Sequence, residues 1–422
     1  MAEAIGATLI GPEVEIYGAS FDSRTISPGE LFVPLIAHRD GHDFIANALE
    51  RGAAAYLTNG PRVDGSAIVV DDTAAALVAL AGWARRQLEI PVVGVTGSVG
   101  KTSTKDLIAA TLGATRTVTA NIDSFNNEQG LPVTILGAPD RVEALIVEMG
   151  MRGVGDIARL CEIALPTIGV VTSVGSAHTE LLGGIDAVAI AKRELVDSLG
   201  EDGVAILNAD DERVLAMGRH ARASVVTYGL GGDVRVSQIE LDDLVRPAFH
   251  IDSPWGGGDV QLAVSGEHMA SNAAAAIAVA GVVEGRIDAA LEALTSATVS
   301  RMRMEVARAA SGAVVINDAY NANPDSMRAA LEALSKIQAD RRIAVLGEMA
   351  ELDDSAAGHK GVMDDAIERG IEVIAVGTDL YGIRPVADPI AALGEIGAGD
   401  AVLVKASRVG GLERVAIALL ES

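Results

Sequence analysis

Val92–Gly113, VVGVTGSVGKTSTKDLIAATLG, decides how the chain is read. Val92, Val93 and Val95 make a β-branched apolar run, the pattern of a buried parallel strand. The segment Thr96-Gly97-Ser98-Val99-Gly100-Lys101-Thr102 follows it. A helical pattern comes next, with Leu107, Ile108 and Leu112 on one side and Gly113 as a stop. Strand, glycine loop, lysine, hydroxyl and helix is the layout of a phosphate-binding P-loop. Its glycines let backbone N–H groups close around phosphate oxygens, and the helix N-terminus adds positive potential. Lys101 would reach the β- and γ-phosphates, and the Thr102 hydroxyl would coordinate Mg²⁺. The usual motif has a glycine where this chain has Val95. An ordinary glycine-rich turn is the bland alternative, disfavoured because Gly-Lys-Thr sits at the strand–helix junction.

The chain has 422 residues, enough for two or three domains. Half of it is hydrophobic but only 3% is aromatic, so the cores must be built from Ala, Val, Leu and Ile. No apolar run is long enough to span a bilayer and no signal peptide is evident. The single cysteine, Cys161, excludes an intrachain disulfide and fits a reducing cytoplasm. Its expected role is that of a small core hydrophobe. A formal charge of −25 argues against a nucleic-acid or membrane surface. Anionic ligands must then be met by local Lys, Arg, backbone N–H groups and metal.

The pattern divides the chain into an N-terminal α/β unit over 1–88, a central P-loop unit over 89–300 and a C-terminal Rossmann-like unit over 301–422. In the first unit Arg24 beside Ser23 could hold a diphosphate, although a lone Arg is more often a surface ion pair. In the second, Asn121–Pro132 is polar and bounded by Gly and Pro, and reads as a loop. The strand Ala144–Val147 ends at Glu148, where an α/β nucleotide site places a Mg²⁺ ligand. His178 lies beyond the strand Thr167–Thr172 and is expected to face the same crevice. On the helix Gly184–Leu199, Lys192 falls on the apolar stripe of Val188, Leu195 and Val196. It either snorkels or, with a lowered pKa, takes a chemical role. Asn272, at a helix start, is first a capping candidate and second a base reader. In the last unit, strands alternate with helices in a second doubly wound pattern. Polar residues follow its strands at Asp318–Ser326, Glu348 and Lys405–Arg408.

Taken together, the P-loop, Glu148-Met149-Gly150, Ala177-His178, Ala191-Lys192 and NDAYNANPDSM at Asn317–Met327 resemble the Mur ligases, amide-forming enzymes of peptidoglycan synthesis. SFNNEQGLP at Ser124–Pro132 and VLGEMAEL at Val345–Leu352 resemble the branch that joins D-alanyl-D-alanine to UDP-N-acetylmuramoyl-tripeptide. The resemblance implies a shortened P-loop, which accounts for Val95. It implies that Gly97, Ser98, Gly100, Lys101, Thr102 and Ser103 hold ATP, and that Thr102, Glu148, His178 and a carbamoylated Lys192 hold Mg²⁺. Asn272, Arg303 (or Arg301) and Asp318 would also contact ATP. Ser23, Arg24, Asn126, Asn127, Tyr320 and Asn321 would contact substrate. Lys101, Glu148, His178 and Lys192 carry the catalytic roles. The family often has glycine before the hinge arginine, whereas Met302 precedes Arg303 and Ser300 precedes Arg301. A cytoplasmic monomer without nucleic acid is expected. A plain ATPase or kinase, a non-catalytic homologue, the ligase that adds the third residue and a folate or polyglutamate ligase remain as alternatives.

Overall fold

The apolar run Val92–Thr96 becomes a fully buried strand inside a nine-stranded sheet. The computed structural model describes residues 1–122, 125–175, 179–350, 352 and 354–421, with the side chains of 180 and 181 excepted. From one edge the sheet runs Val118–Ala120, Ala144–Glu148, Val92–Thr96, Ile168–Val171, Val204–Asn208, Ser224–Gly229 and Val234–Leu241, all parallel. Pro247–Ser253 and Gly256–Gln261 extend it antiparallel. Val95 lies opposite Glu148 and Thr96 opposite Val171, so the loops leaving these three strands share one sheet edge. That edge, at the carboxyl ends of parallel strands, is where open α/β sheets bind ligands.

Both faces of the central strands are covered, as their unbroken apolar pattern requires. One face packs against the P-loop helix Lys101–Gly113 and the alanine-rich helix His268–Glu284. The buried alanines of the latter, among them Ala273–Ala276, let the two helices lie close. The other face carries Asp156–Ala164 and Ile185–Ser198, which bury Leu160, Val188, Leu195 and Val196. Ile185–Ser198 approaches the sheet closely because Gly94 and Gly169 present no side chain there. A Cβ on Gly94 would stand 2.9 Å from Leu195 Cδ1, and one on Gly169 would stand 3.0 Å from Leu195 Cγ.

Two smaller sheets flank this one in the chain. Residues 8–69 form five strands, parallel except at the Thr8–Ile10 edge. Residues 305–405 form a second doubly wound sheet, in the order Glu305–Arg308, Val314–Asn317, Asp400–Lys405, Arg341–Leu346 and Glu372–Ala375, with only the first strand antiparallel. The α/β fold expected for each stretch is present. One segment differs from the sequence reading. The expected loop Asn121–Pro132 gives way at Gly130 to a helix, Gly130–Leu136, which buries Leu131 and Ile135. Pro132 is tolerated because it sits in the first turn, where its missing N–H is not needed.

Gly169→Ala should cost about 1–3 kcal/mol, because the added methyl overpacks the contact with Leu195 and Leu199. Urea unfolding measures this, and a loss below ~0.5 kcal/mol would mean that this approach is not tight.

Candidate active site

The P-loop is fixed to its neighbours before any ligand is considered. Gly97 has φ +154°, and a Cβ there would stand 1.8 Å from Thr172 Oγ1, so only glycine fits. The Ser98 amide donates to the Ser173 carbonyl at 2.9 Å, and the Val99 amide to Ser173 Oγ at 3.0 Å. Thr172 Oγ1 donates to the Val99 carbonyl at 2.6 Å. Lys101 opens the helix and folds back, Nζ donating to the Gly97 carbonyl at 2.8 Å. Val95, the mismatched position, is simply a buried strand residue.

Glu148 ends the next strand only 2% exposed. Burying a carboxylate is costly unless its oxygens are bonded, and both are. Thr102 Oγ1 donates to Oε2 at 2.6 Å, and Asn126 Nδ2 donates to Oε1 at 2.7 Å. Lys192 borders the same cleft at 1% exposure. Burial holds its pKa well below the usual lysine range, and the charge of Lys101 lowers it further. Among the described residues it has no hydrogen-bond or ion-pair partner. The sequence reading of Lys192 as a buried stripe residue therefore stands.

Asn272 also faces the loop, its Oδ1 3.0 Å from where a Gly100 Cβ would lie. It occupies the fifth position of His268–Glu284, so the capping reading does not apply.

The opposite wall comes from the C-terminal sheet. Asp318 follows the strand Val314–Asn317, and Lys405 ends the neighbouring strand. Lys405 Nζ, 1% exposed, bonds Asp318 Oδ2 at 2.5 Å and the Asn321 carbonyl at 2.8 Å. Asp318 Oδ1 accepts from the Met304 amide at 3.0 Å. Arg303 stacks over the Tyr320 ring, 4.1 Å from its centroid. Met302 and Met304, on either side of Arg303, are left-handed with φ +59° and +51°. The residue before Arg303 thus takes a backbone conformation that glycine adopts without strain, carried here by Met302. Together these residues line a cleft of about 1220 Å³ that includes Lys101, Thr102, Glu148, Lys192, Arg303 and Asp318. In a chain of net charge −25, the cleft lining is close to charge-balanced, with seven Lys and Arg against six Asp and Glu.

Not every expected residue converges there. Arg24 is exposed and forked onto Asp22, at 2.6 Å through Nη2, and neither it nor Ser23 lines the cleft. Phe21 contacts Phe125, with ring centroids 5.5 Å apart, which seats this N-terminal segment against the loop bearing Asn126 and Asn127. Asn127 lines the cleft, but its Oδ1 is occupied by the Gln129 and Gly130 amides. Gly97, Ser98, Gly100, Ser103, Tyr320 and Asn321 line it as expected; Arg301 does not. His178 lies outside the described residues. Lys405 and Arg408 were seen in the sequence as polar residues after a strand, but nothing in the spacing joined Lys405 to Asp318, 87 residues away.

The chain is similar to known proteins over nearly its whole length. The Mur ligase family catalytic-domain model matches residues 15–89, the Mur ligase middle domain 95–280, and the Mur ligase glutamate ligase domain 302–408. The UDP-N-acetylmuramoyl-tripeptide–D-alanyl-D-alanine ligase of Mycobacterium tuberculosis (strain CDC 1551 / Oshkosh) is 41% identical, over 95% of this chain and 91% of that protein. MurF from Acinetobacter baumannii superposes with a TM-score of 0.88 at 27% identity, covering 100% of this chain and 97% of the other. MurF ligase from Thermotoga maritima, solved in complex with ADP, superposes at 0.82 with 28% identity, over 94% and 96% of the two chains.

The left-handed backbone at Met302 costs about 1–2 kcal/mol relative to glycine. Met302→Gly should therefore raise the unfolding free energy by about 1 kcal/mol, while the control Arg301→Gly should not. Equal destabilisation by both would remove the argument for Arg303 as the hinge arginine. On sequence, domain composition and full-length superposition, the chain belongs to the Mur ligase family, and within it to the MurF type.

Proposed function

We propose that the chain is an ATP-dependent, ADP-forming ligase that joins D-alanyl-D-alanine to UDP-N-acetylmuramoyl-tripeptide, for peptidoglycan precursor synthesis in the cytoplasm. The observation that carries this reading is the single cleft. A P-loop, a carboxylate–hydroxyl pair and a buried lysine form one wall, and Arg303 and Asp318 form the other.

An amide cannot form from a free carboxylate in water without activation. In this reading the γ-phosphoryl group of ATP passes to the terminal carboxylate of the tripeptide, giving an acyl phosphate and ADP. The amine of D-alanyl-D-alanine attacks the acyl carbon, and phosphate leaves from the tetrahedral adduct. Attacking carboxylate and phosphoryl group are both anionic, so positioning and cationic groups supply most of the catalysis. The loop amides and Lys101 hold the phosphates, Lys101 exchanging its bond to the Gly97 carbonyl for a phosphate oxygen. In this reading Arg303 and Asp318 reach the nucleotide from the second wall, and Asn272 contacts the adenine. Walls from two units also keep water from the acyl phosphate.

The donors present suit Mg²⁺, which prefers a few carboxylate and hydroxyl oxygens and completes its shell with phosphates and water. Thr102 and Glu148 supply such oxygens. Among the described residues no group of three or more His, Cys, Asp or Glu could hold a metal. Lys192 fits the remaining need: burial favours its neutral amine, which can take up CO₂ to give an anionic carbamate. When bound, Mg²⁺ would neutralise charge between nucleotide and carboxylate.

Lys101→Ala should lower ligation by about 10²–10³-fold, the scale of losing one electrostatic stabiliser. Near-normal turnover would rule this role out. Lys192→Ala should be nearly inactive and be partly restored by small carboxylic acids. Lys192→Arg should fail, because guanidinium stays charged. Wild-type activity in Lys192→Arg, or no carbamate signal from isotope-labelled bicarbonate in the folded enzyme, would contradict the carbamate. Phosphate release with UDP-N-acetylmuramoyl-tripeptide should need D-alanyl-D-alanine; equal release without it would indicate a plain phosphatase or kinase activity.

A further inference from the structure

We propose that Asp106 is a positioning residue for ligation, pinning the start of the interdomain hinge to the P-loop helix and thereby setting where Arg303 enters the cleft. Asp106 lies in the second turn of Lys101–Gly113. Its Oδ2 accepts from both the amide and the hydroxyl of Ser300, each at 2.7 Å, across 194 residues of sequence. Its Oδ1 pairs with Lys105 Nζ at 2.9 Å. Lys105 is 2% exposed, and the same Nζ donates to the Asn121 carbonyl at 2.7 Å. Asn121, 1% exposed, in turn accepts the amide of Glu148 on its Oδ1 at 2.7 Å.

A continuous chain of bonds thus runs from Glu148 through Asn121, Lys105 and Asp106 to Ser300. At the far end of the hinge, Asp318 holds the Met304 amide. The segment Ser300–Met304 is therefore held by a carboxylate at each end, one from the P-loop helix and one from the C-terminal unit. Between the clamps lie the two left-handed residues and Arg303. Fixing both ends of so short a segment leaves Arg303 little freedom in its approach. Misplacement by about 1 Å at a reacting site costs up to roughly 10²-fold in rate.

Two substitutions separate positioning from simple charge balance. Asp106→Asn keeps an oxygen acceptor for Ser300 but removes the charge that faces Lys105. Asp106→Ala removes both. Because each leaves the Lys105 ammonium without its carboxylate, both should lower the melting temperature alike. If Asp106 positions the hinge, kcat should fall by about 10–100-fold in Asp106→Ala and stay within about threefold of wild type in Asp106→Asn. Affinity for UDP-N-acetylmuramoyl-tripeptide in the absence of ATP should not change in either.

The kinetic arm rests on the ligase reading, so a second arm does not use activity. Spin labels at Arg219→Cys in the central unit and Ile367→Cys in the C-terminal unit report the distance between them. Both positions are exposed, and the native Cys161 is buried. The distance distribution should broaden in Asp106→Ala and keep its wild-type width in Asp106→Asn. Should Asp106→Ala fail to fold, Ser300→Ala, which removes one donor and strands no charge, should lower kcat a few-fold and broaden the distribution. Equal kcat losses in the Asn and Ala variants, or an unchanged distance distribution in Asp106→Ala or Ser300→Ala, would overturn the proposal. An inactive wild type with the predicted distances would instead count against the ligase reading alone.

Discussion

The carboxylate of Glu148 is the group around which the cleft is organised. A charge this deeply buried is tolerated only if its bonding is complete. Two segments complete it: Thr102 from the P-loop helix donates to one oxygen and Asn126 from the following loop to the other, while Asn121 on that same loop accepts the Glu148 backbone amide. The strand register makes this arrangement geometric rather than accidental, since Val95 and Glu148 are direct neighbours across the ladder. The loop after one strand and the acid ending the other must then meet. The close seat of Ile185–Ser198, made by Gly94 and Gly169, places Lys192 on the same cleft.

The second wall obeys the same logic with opposite charge. Lys405 is as buried as Lys192, but it is paired with Asp318, whereas Lys192 has no such partner among the described residues. Removing one partner of a buried pair typically costs about 3–5 kcal/mol because it strands the other charge, so Lys405 and Asp318 depend on each other within the wall that presents Arg303 and Tyr320. The two lysines thus divide the work. One serves the frame, and the other is left with an amine whose neutral form burial favours.

Much of this was legible in the sequence because the signals were local. The P-loop, the acid at a strand end, the buried stripe carrying Lys192 and the α/β alternation each depend on periodicity or near neighbours. What escaped depends on distance or on local competition. The Asp318–Lys405 pair and the Asp106–Ser300 clamp arise from sheet order and helix packing between remote segments. For Arg24 the sequence leaves open a diphosphate contact or a surface ion pair, and Asp22 two residues away occupies its guanidinium. Asn127 is similarly engaged by the first amides of a helix that the Gly- and Pro-bounded sequence concealed. The left-handed turn before Arg303 was hidden because methionine gives no hint of it.

The central claim is that two walls form one site in which a carboxylate is phosphorylated before an amine attacks it. Isotope transfer tests that claim most directly. With heavy oxygen in the terminal carboxylate of the tripeptide, the acyl-phosphate route requires one labelled oxygen to leave with inorganic phosphate while the other stays in the new amide. Released phosphate that carries one heavy oxygen per ligation is the predicted result; unlabelled phosphate would mean that water, not the carboxylate, receives the phosphoryl group, and would contradict the account.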